Sequence, residues 1–280
     1  MARVDINAEV LSSPGVSLRR FAQSRACDDH AFHQIVIGSE GAMEMTVDGV
    51  GERIDRGRAW LVPAGALHEY AGIGENRQLV LDLPPASLAI PERLFAHARV
   101  LALDEAMTAL VEDVVRAGTR MAEQASEARY SVSMIGGAAA ERSSHARRFR
   151  WEAATRLASA LAMLGGLADV APSTGLDFAR IDGWMRARLS EPLRVADLAA
   201  YCGFGLRRFH QLFDEAFGTT PHRYLQRLRL DTSLALLRDP RNSLSEVALC
   251  VGFSDQSAFT HAFTRRFGIA PGQWRAPPRP

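Results

Sequence analysis

The chain has 280 residues, 47% hydrophobic and 23% charged, the balance of a folded globular protein rather than of a disordered or fibrous one. No stretch approaches the roughly 18 consecutive apolar residues of a membrane span. The net charge of +1 is unevenly spread: from residue 176 onward 15 arginines face 10 acidic residues, and before it 18 face 22, so a basic C-terminal third follows an acidic front, the pattern of nucleic-acid binding at one end.

In chain order, the first residues carry Asp5 and Glu9 where an export signal would be apolar, so none is expected. Gln34–Gly38, Met43–Val47, Ala59–Pro63 and Gln78–Leu83 are short Val-, Ile- and Leu-rich runs bounded by turn residues, which predicts strands of a sandwich or small barrel over residues 1–84. Asp48-Gly49 predicts a tight hairpin between two of them. After Pro84-Pro85, Leu101–Glu123 and Trp151–Leu164 place apolar residues at helical spacing, so residues 85–170 read as a helical connector and dimerisation region. Between them Gln124–Arg148 reads as a helix end followed by a loop, and Ala171–Gly175 as an interdomain linker. Residues 177–276 read as helices joined by short turns.

The C-terminal region holds an internal repeat. Ala199, Gly203-Phe204, Phe209, Phe213, Phe217-Gly218 and Pro221 recur as Ala248, Gly252-Phe253, Phe259, Phe263, Phe267-Gly268 and Pro271. Each copy has the layout of a helix-turn-helix, over about 195–217 and 244–267: a short helix ended by glycine, then a helix with Phe at i, i+4 and i+8. Ser243 and Glu246 have capping-box spacing, and Thr220-Pro221 starts a long helix to Arg238 that would join the two units. With the phenylalanines buried, 100° per residue turns Arg207, His210, Gln211 and Asp214 outward on one helix, and Gln256, Ser257, Thr260, His261 and Thr264 on the other. Arg, Gln, His, Ser and Thr can read base edges. Arg208, Arg265 and Arg266 flank these faces and suit phosphates. Asp214 and Glu215 would be repelled by the DNA backbone and stay off the contact set. Cys202 and Cys250 are expected to be packing residues, and three cysteines without CxxC spacing exclude a disulfide scaffold and suit a reducing cytoplasm.

Residues 177–275 resemble the DNA-binding domain of the AraC/XylS family, through Val247-Ala248, Gly252-Phe253, Phe259, Phe263, Phe267-Gly268, Pro271 and Trp274-Arg275. The resemblance implies a seven-helix domain with both reading helices in successive major grooves. It implies contacts by Arg207, His210, Gln211, Gln256, Ser257, Thr260 and His261, a homodimer formed through the N-terminal part with Trp151–Leu164 as candidate helix, and activation of promoters with RNA polymerase as partner.

In the front region, Gly57, Pro63, Gly65 and His68 have the spacing of the second cupin signature, and Asp28, His30, Gln34 and Gly41 that of the first. This resemblance implies a cupin-like barrel that senses a small-molecule effector, with His30, Gln34 and His68 at the pocket. Asp28 and Gln34 replace two of the family's metal ligands and Gly72 its final Asn, so neither a metal nor another cofactor is expected. Trp60 and Tyr70 are expected in the core or at its rim. The sequence is thus expected to be multidomain: an all-β cupin-like N-terminal half with connector helices, and an all-α double helix-turn-helix. The function expected is a cytoplasmic, ligand-responsive, sequence-specific transcription regulator on double-stranded promoter DNA. The alternatives are a metal-dependent cupin enzyme fused to a DNA-binding module, and a front barrel that only dimerises.

Overall fold

The computed structural model describes residues 11–85, 87–88, 90–131, 136–167 and 176–275 and divides into two compact units, Met1–Ala128 with Ala146–Gly175 and Arg129–His145 with Leu176–Pro280.

In the first unit, β1 (Gly15–Arg19), β2 (Ala26–Asp28), β3 (His33–Val47), β4 (Val50–Ile54), β5 (Arg58–Val62), β6 (His68–Leu83) and β7 (Arg99–Ala102) form one antiparallel sheet. Its order is β1-β6-β3-β5-β7, with β2 paired to β6 and β4 to β3, so the sheet is open and has β1 and β7 as its ends. The apolar runs are continuous because both faces are covered. Ile35, Ile37, Leu61, Leu79 and Leu81 pack on one face against Met107, Val111 and Val114 of α1 (Glu105–Ser131) and Leu157, Ala158 and Leu161 of α2 (Gly136–Leu164). Val36, Trp60, Val62 and Val80 alternate onto the other face with Met43, Met45, Val47 and Ile54. At the β3–β4 turn Asp48 (φ 49°) and Gly49 (φ 82°) are both left-handed, the conformation a two-residue hairpin requires.

Three expectations are corrected here. Gln34–Gly38 and Met43–Val47 are parts of a single bent strand, β3, whose register shifts between Gly38 and Ala42. The Gly-Ser-Glu-Gly stretch that looks like a turn is a bulge, and a Cβ on Gly38 would lie 1.7 Å from the Asp55 carbonyl oxygen. The loop expected within Gln124–Arg148 is helical over 124–131 and 136–148, because a segment rich in Ala, Glu and Arg keeps helical backbone without an apolar stripe to announce it. Trp151–Leu164, the candidate dimer helix, spends its apolar stripe inside the unit: Trp151, Ala154, Leu157, Ala158 and Leu161 are all buried. The expected linker Ala171–Gly175 lies outside the described residues.

Residues 176–275 of the second unit form seven helices: α3 (Phe178–Arg186), α4 (Val195–Tyr201), α5 (Leu206–Phe217), α6 (Pro221–Leu237), α7 (Leu244–Cys250), α8 (Gln256–Phe267) and α9 (Pro271–Arg275). The Asp177 carboxylate caps α3 by accepting from the Arg180 amide at 2.9 Å.

Candidate nucleic-acid interface and sensor site

The two copies of the repeat fold alike down to single hydrogen bonds. After α4, the Phe204 amide donates to the Ala199 carbonyl at 2.9 Å and Gly203 to Ala200 at 2.9 Å; after α7, Phe253 donates to Ala248 at 2.9 Å and Gly252 to Leu249 at 3.0 Å. This is the Schellman pattern, and it needs the left-handed φ of Gly203 (79°) and Gly252 (85°). Helices α5 and α8 both end on a left-handed glycine, Gly218 or Gly268, whose amide donates to Asp214 or Thr264 at 2.8 Å. The helix starts match expectation as well: the Ser243–Glu246 capping box is complete, and Thr220 caps α6 with Pro221 in its first turn.

Inside each unit stands an aromatic ladder. Ring centroids are 5.5 Å apart for Phe209–Phe213 and 4.1 Å for Phe213–Phe217, and 5.5 and 4.5 Å for Phe259–Phe263 and Phe263–Phe267. Phe209, Phe213, Phe259 and Phe263 are each 0% exposed. Burying one such ring contributes about 1.5–3 kcal/mol, so the ladder fixes which way each helix faces. Tyr224 of α6 closes the first ladder against Phe213 and Phe217, and Trp274 of α9 lies edge-on to Phe263 in the second.

The opposite faces carry the expected polar residues. Arg207, Arg208, His210 and Gln211 are exposed on α5, and Gln256, Ser257, His261 and Arg265 on α8, with Thr260 half-buried. Asp255 caps α8 by accepting from the Ala258 amide at 2.8 Å. α5 has Gly205 at that place and no side-chain cap. Arg266 departs from its expected phosphate-facing place: its Nη2 pairs with Asp231 of α6 at 2.6 Å and its side chain is only 12% exposed. Cys250 is not a packing residue either, since it is exposed on α7, while Cys202 is half-buried.

In the first unit, the structure brings His30 and His68 together at 4.9 Å between ring centroids. Each points Nδ1 at a backbone carbonyl, Phe32 at 2.7 Å and Ala66 at 3.0 Å, and because a carbonyl only accepts, Nδ1 carries the proton. His30 Nε2 is then a buried acceptor with no hydrogen-bond partner in the structure. Burial, aided by His30, holds His68 below the ordinary histidine range against the opposing Ala66 carbonyl, Asp28 and Asp29. Gln34 instead donates to Asp82 at 2.9 Å, and Asp82 in turn pairs with Arg19. His33 is structural: it accepts from the Ala64 amide at 3.0 Å, meets Glu92 at 3.2 Å and stacks on Phe95. Trp60 is fully buried, and Tyr70 is half-buried, edge-on to Phe21. Among the described residues no group of three His, Cys, Asp or Glu is placed to hold a metal ion.

A helix-turn-helix domain model matches residues 198–277. The probable transcriptional regulator LumQ of Photobacterium leiognathi is 24% identical over 265 residues, 95% of this chain and 98% of that protein. The HTH-type transcriptional activator RhaS of Escherichia fergusonii is 34% identical over 92 residues, so the chain spans about a third of that relative, 33% of its length. A crystal structure of a transcriptional regulator with an AraC-type DNA-binding domain from Chromobacterium violaceum shares 32% identity over 36% of this chain and 93% of its own, with a TM-score of 0.34.

Proposed function

We propose that the chain is a DNA-binding transcription regulator with an AraC-type helix-turn-helix domain, whose α5 and α8 enter successive major grooves of one promoter duplex. The observation that carries this reading is the duplicated phenylalanine ladder, with Phe209, Phe213, Phe259 and Phe263 fully buried, which turns two polar faces outward. Arg207, His210 and Gln211 of α5, and Gln256, Ser257, Thr260 and His261 of α8, contact base edges; Arg208 and Arg265 hold phosphates. At 1.5 Å per residue the 17-residue α6 is about 26 Å long, a suitable strut for reading helices one DNA turn (about 34 Å) apart.

The first unit senses a small organic effector, with His30 and His68 as its polar anchors. The unpartnered Nε2 of His30 supports that reading, because a buried acceptor without a donor is costly unless something supplies one. Gln34 has a weaker part, since its amide is engaged by Asp82. The effector shifts the population of DNA-binding states in a cytoplasmic homodimer that activates transcription with RNA polymerase. The enzyme alternative finds no support in the regulators this chain resembles or in its two-histidine pair.

Isothermal binding to promoter fragments across a salt series tests the DNA reading. Affinity that falls steeply and log-linearly with salt is expected, and a flat response would contradict phosphate-anchored binding.

A further inference from the structure

Helix α6 carries three polar anchors. Near its start the Tyr224 hydroxyl donates to Asp182 of α3 at 2.6 Å, and further on Asp231 accepts from Arg266 of α8 at 2.6 Å. Between them Arg229 donates Nε to the Leu189 carbonyl at 2.7 Å and Nη2 to the Glu191 carbonyl at 2.8 Å. Leu189 and Glu191 belong to the loop that leads into α4, the first helix of the first helix-turn-helix.

The same loop meets the second helix-turn-helix. A Cβ on Gly252, at the turn after α7, would lie 2.2 Å from the Leu189 carbonyl oxygen and 2.8 Å from Arg229 Nη2. Gly203, its counterpart in the first unit, has nothing within 4 Å of that position. The two turns are otherwise alike, so the crowding is specific to the place where the first unit's loop, the joining helix and the second unit's turn converge. A single helix joining two units fixes their separation but leaves each able to roll on its own contacts. A planar guanidinium spanning two carbonyls, with a glycine turn seated against it, removes that freedom.

We infer that Arg229 is a positioning residue that sets the rotational phase between α5 and α8, and so makes the regulator selective for one half-site spacing. The inference rests on the two-groove reading above. Lysine keeps the charge and a long stem but offers one flexible ammonium, so Arg229→Lys should loosen the phase, and Arg229→Met should do so further.

The test is selection of bound duplexes from a random-sequence library by the full chain, its R229K and its R229M, with melting followed in parallel. The wild type should enrich two half-site motifs at one separation. The variants should enrich the same motifs at separations spread over several base pairs. A one-base-pair insertion in the wild-type consensus should weaken wild-type binding about tenfold and variant binding about threefold or less. Variants that keep one separation and the full insertion penalty, whatever their melting temperatures, would overturn the inference and leave the two-groove reading standing. A wild-type pool with a single half-site would remove both. Should R229M fail to fold, R229K decides.

Discussion

Arg266 Nη2 of α8 lies 2.6 Å from Asp231 Oδ1 of α6, while the next residue back, Arg265, is exposed. Two adjacent arginines on one helix thus have separable roles. Arg265→Ala should lower DNA affinity uniformly across sequences and reduce the slope of log affinity against log salt by about 1, with the melting temperature unchanged. Arg266→Ala leaves Asp231 unpaired and should cost about 1–3 kcal/mol of stability, read by urea unfolding, with the salt slope intact.

The ladders predict a matched pair of losses. Phe213→Ala and Phe263→Ala each empty a fully buried ring site and should each cost about 3–5 kcal/mol by denaturant unfolding. Substitution of exposed Gln211 by Ala should leave stability within about 0.5 kcal/mol and weaken binding to the preferred DNA by about 1–3 kcal/mol.

These contrasts bear on what could be read before the fold was known. Turn chemistry was legible: Asp48-Gly49, Ser243 with Glu246, and Thr220-Pro221 act through neighbours a few residues away, and all took the expected form. The Phe spacing was legible because one buried stripe dictates the opposite face. Arg266 was misplaced because its partner, Asp231, is 35 residues away in sequence, and the bond from Gln34 to Asp82, 48 residues away, was hidden for the same reason. Arg229 gave no local sign, since it acts on backbone carbonyls 40 and 38 residues off, which no side-chain pattern marks. The bend of β3 was hidden because a bulge and a turn draw on the same Gly, Ser and Glu residues.

Acid sensitivity of the second helix-turn-helix should trace to its caps. The Ala258 amide, and then the Ser254 hydroxyl, hold the Asp255 carboxyl below its ordinary range. A carboxylate lowered on folding contributes stability that is present above its unfolded value and lost as pH falls through the folded one. Asp255→Asn keeps a capping oxygen but does not titrate, so its unfolding midpoint should change less between about pH 5 and pH 2 than that of the wild type.

The first unit should respond to pH with the same sign, in a higher window. Burial lowers His68 and also His33, so the unfolded chain takes up protons first, near the ordinary value of about 6.5. Stability therefore rises with pH through that window and is lost below it. Thermal unfolding from about pH 7.5 to 5.5 should show a falling midpoint, and His68→Asn should show a shallower fall.

The most direct measurement of the central claim is a hydroxyl-radical footprint of the full chain on a duplex taken from its own selected pool. Two protected patches on one face of the duplex, centred about 10 base pairs apart, are the expected result. A single patch, or two patches on opposite faces, would contradict the account of paired recognition helices.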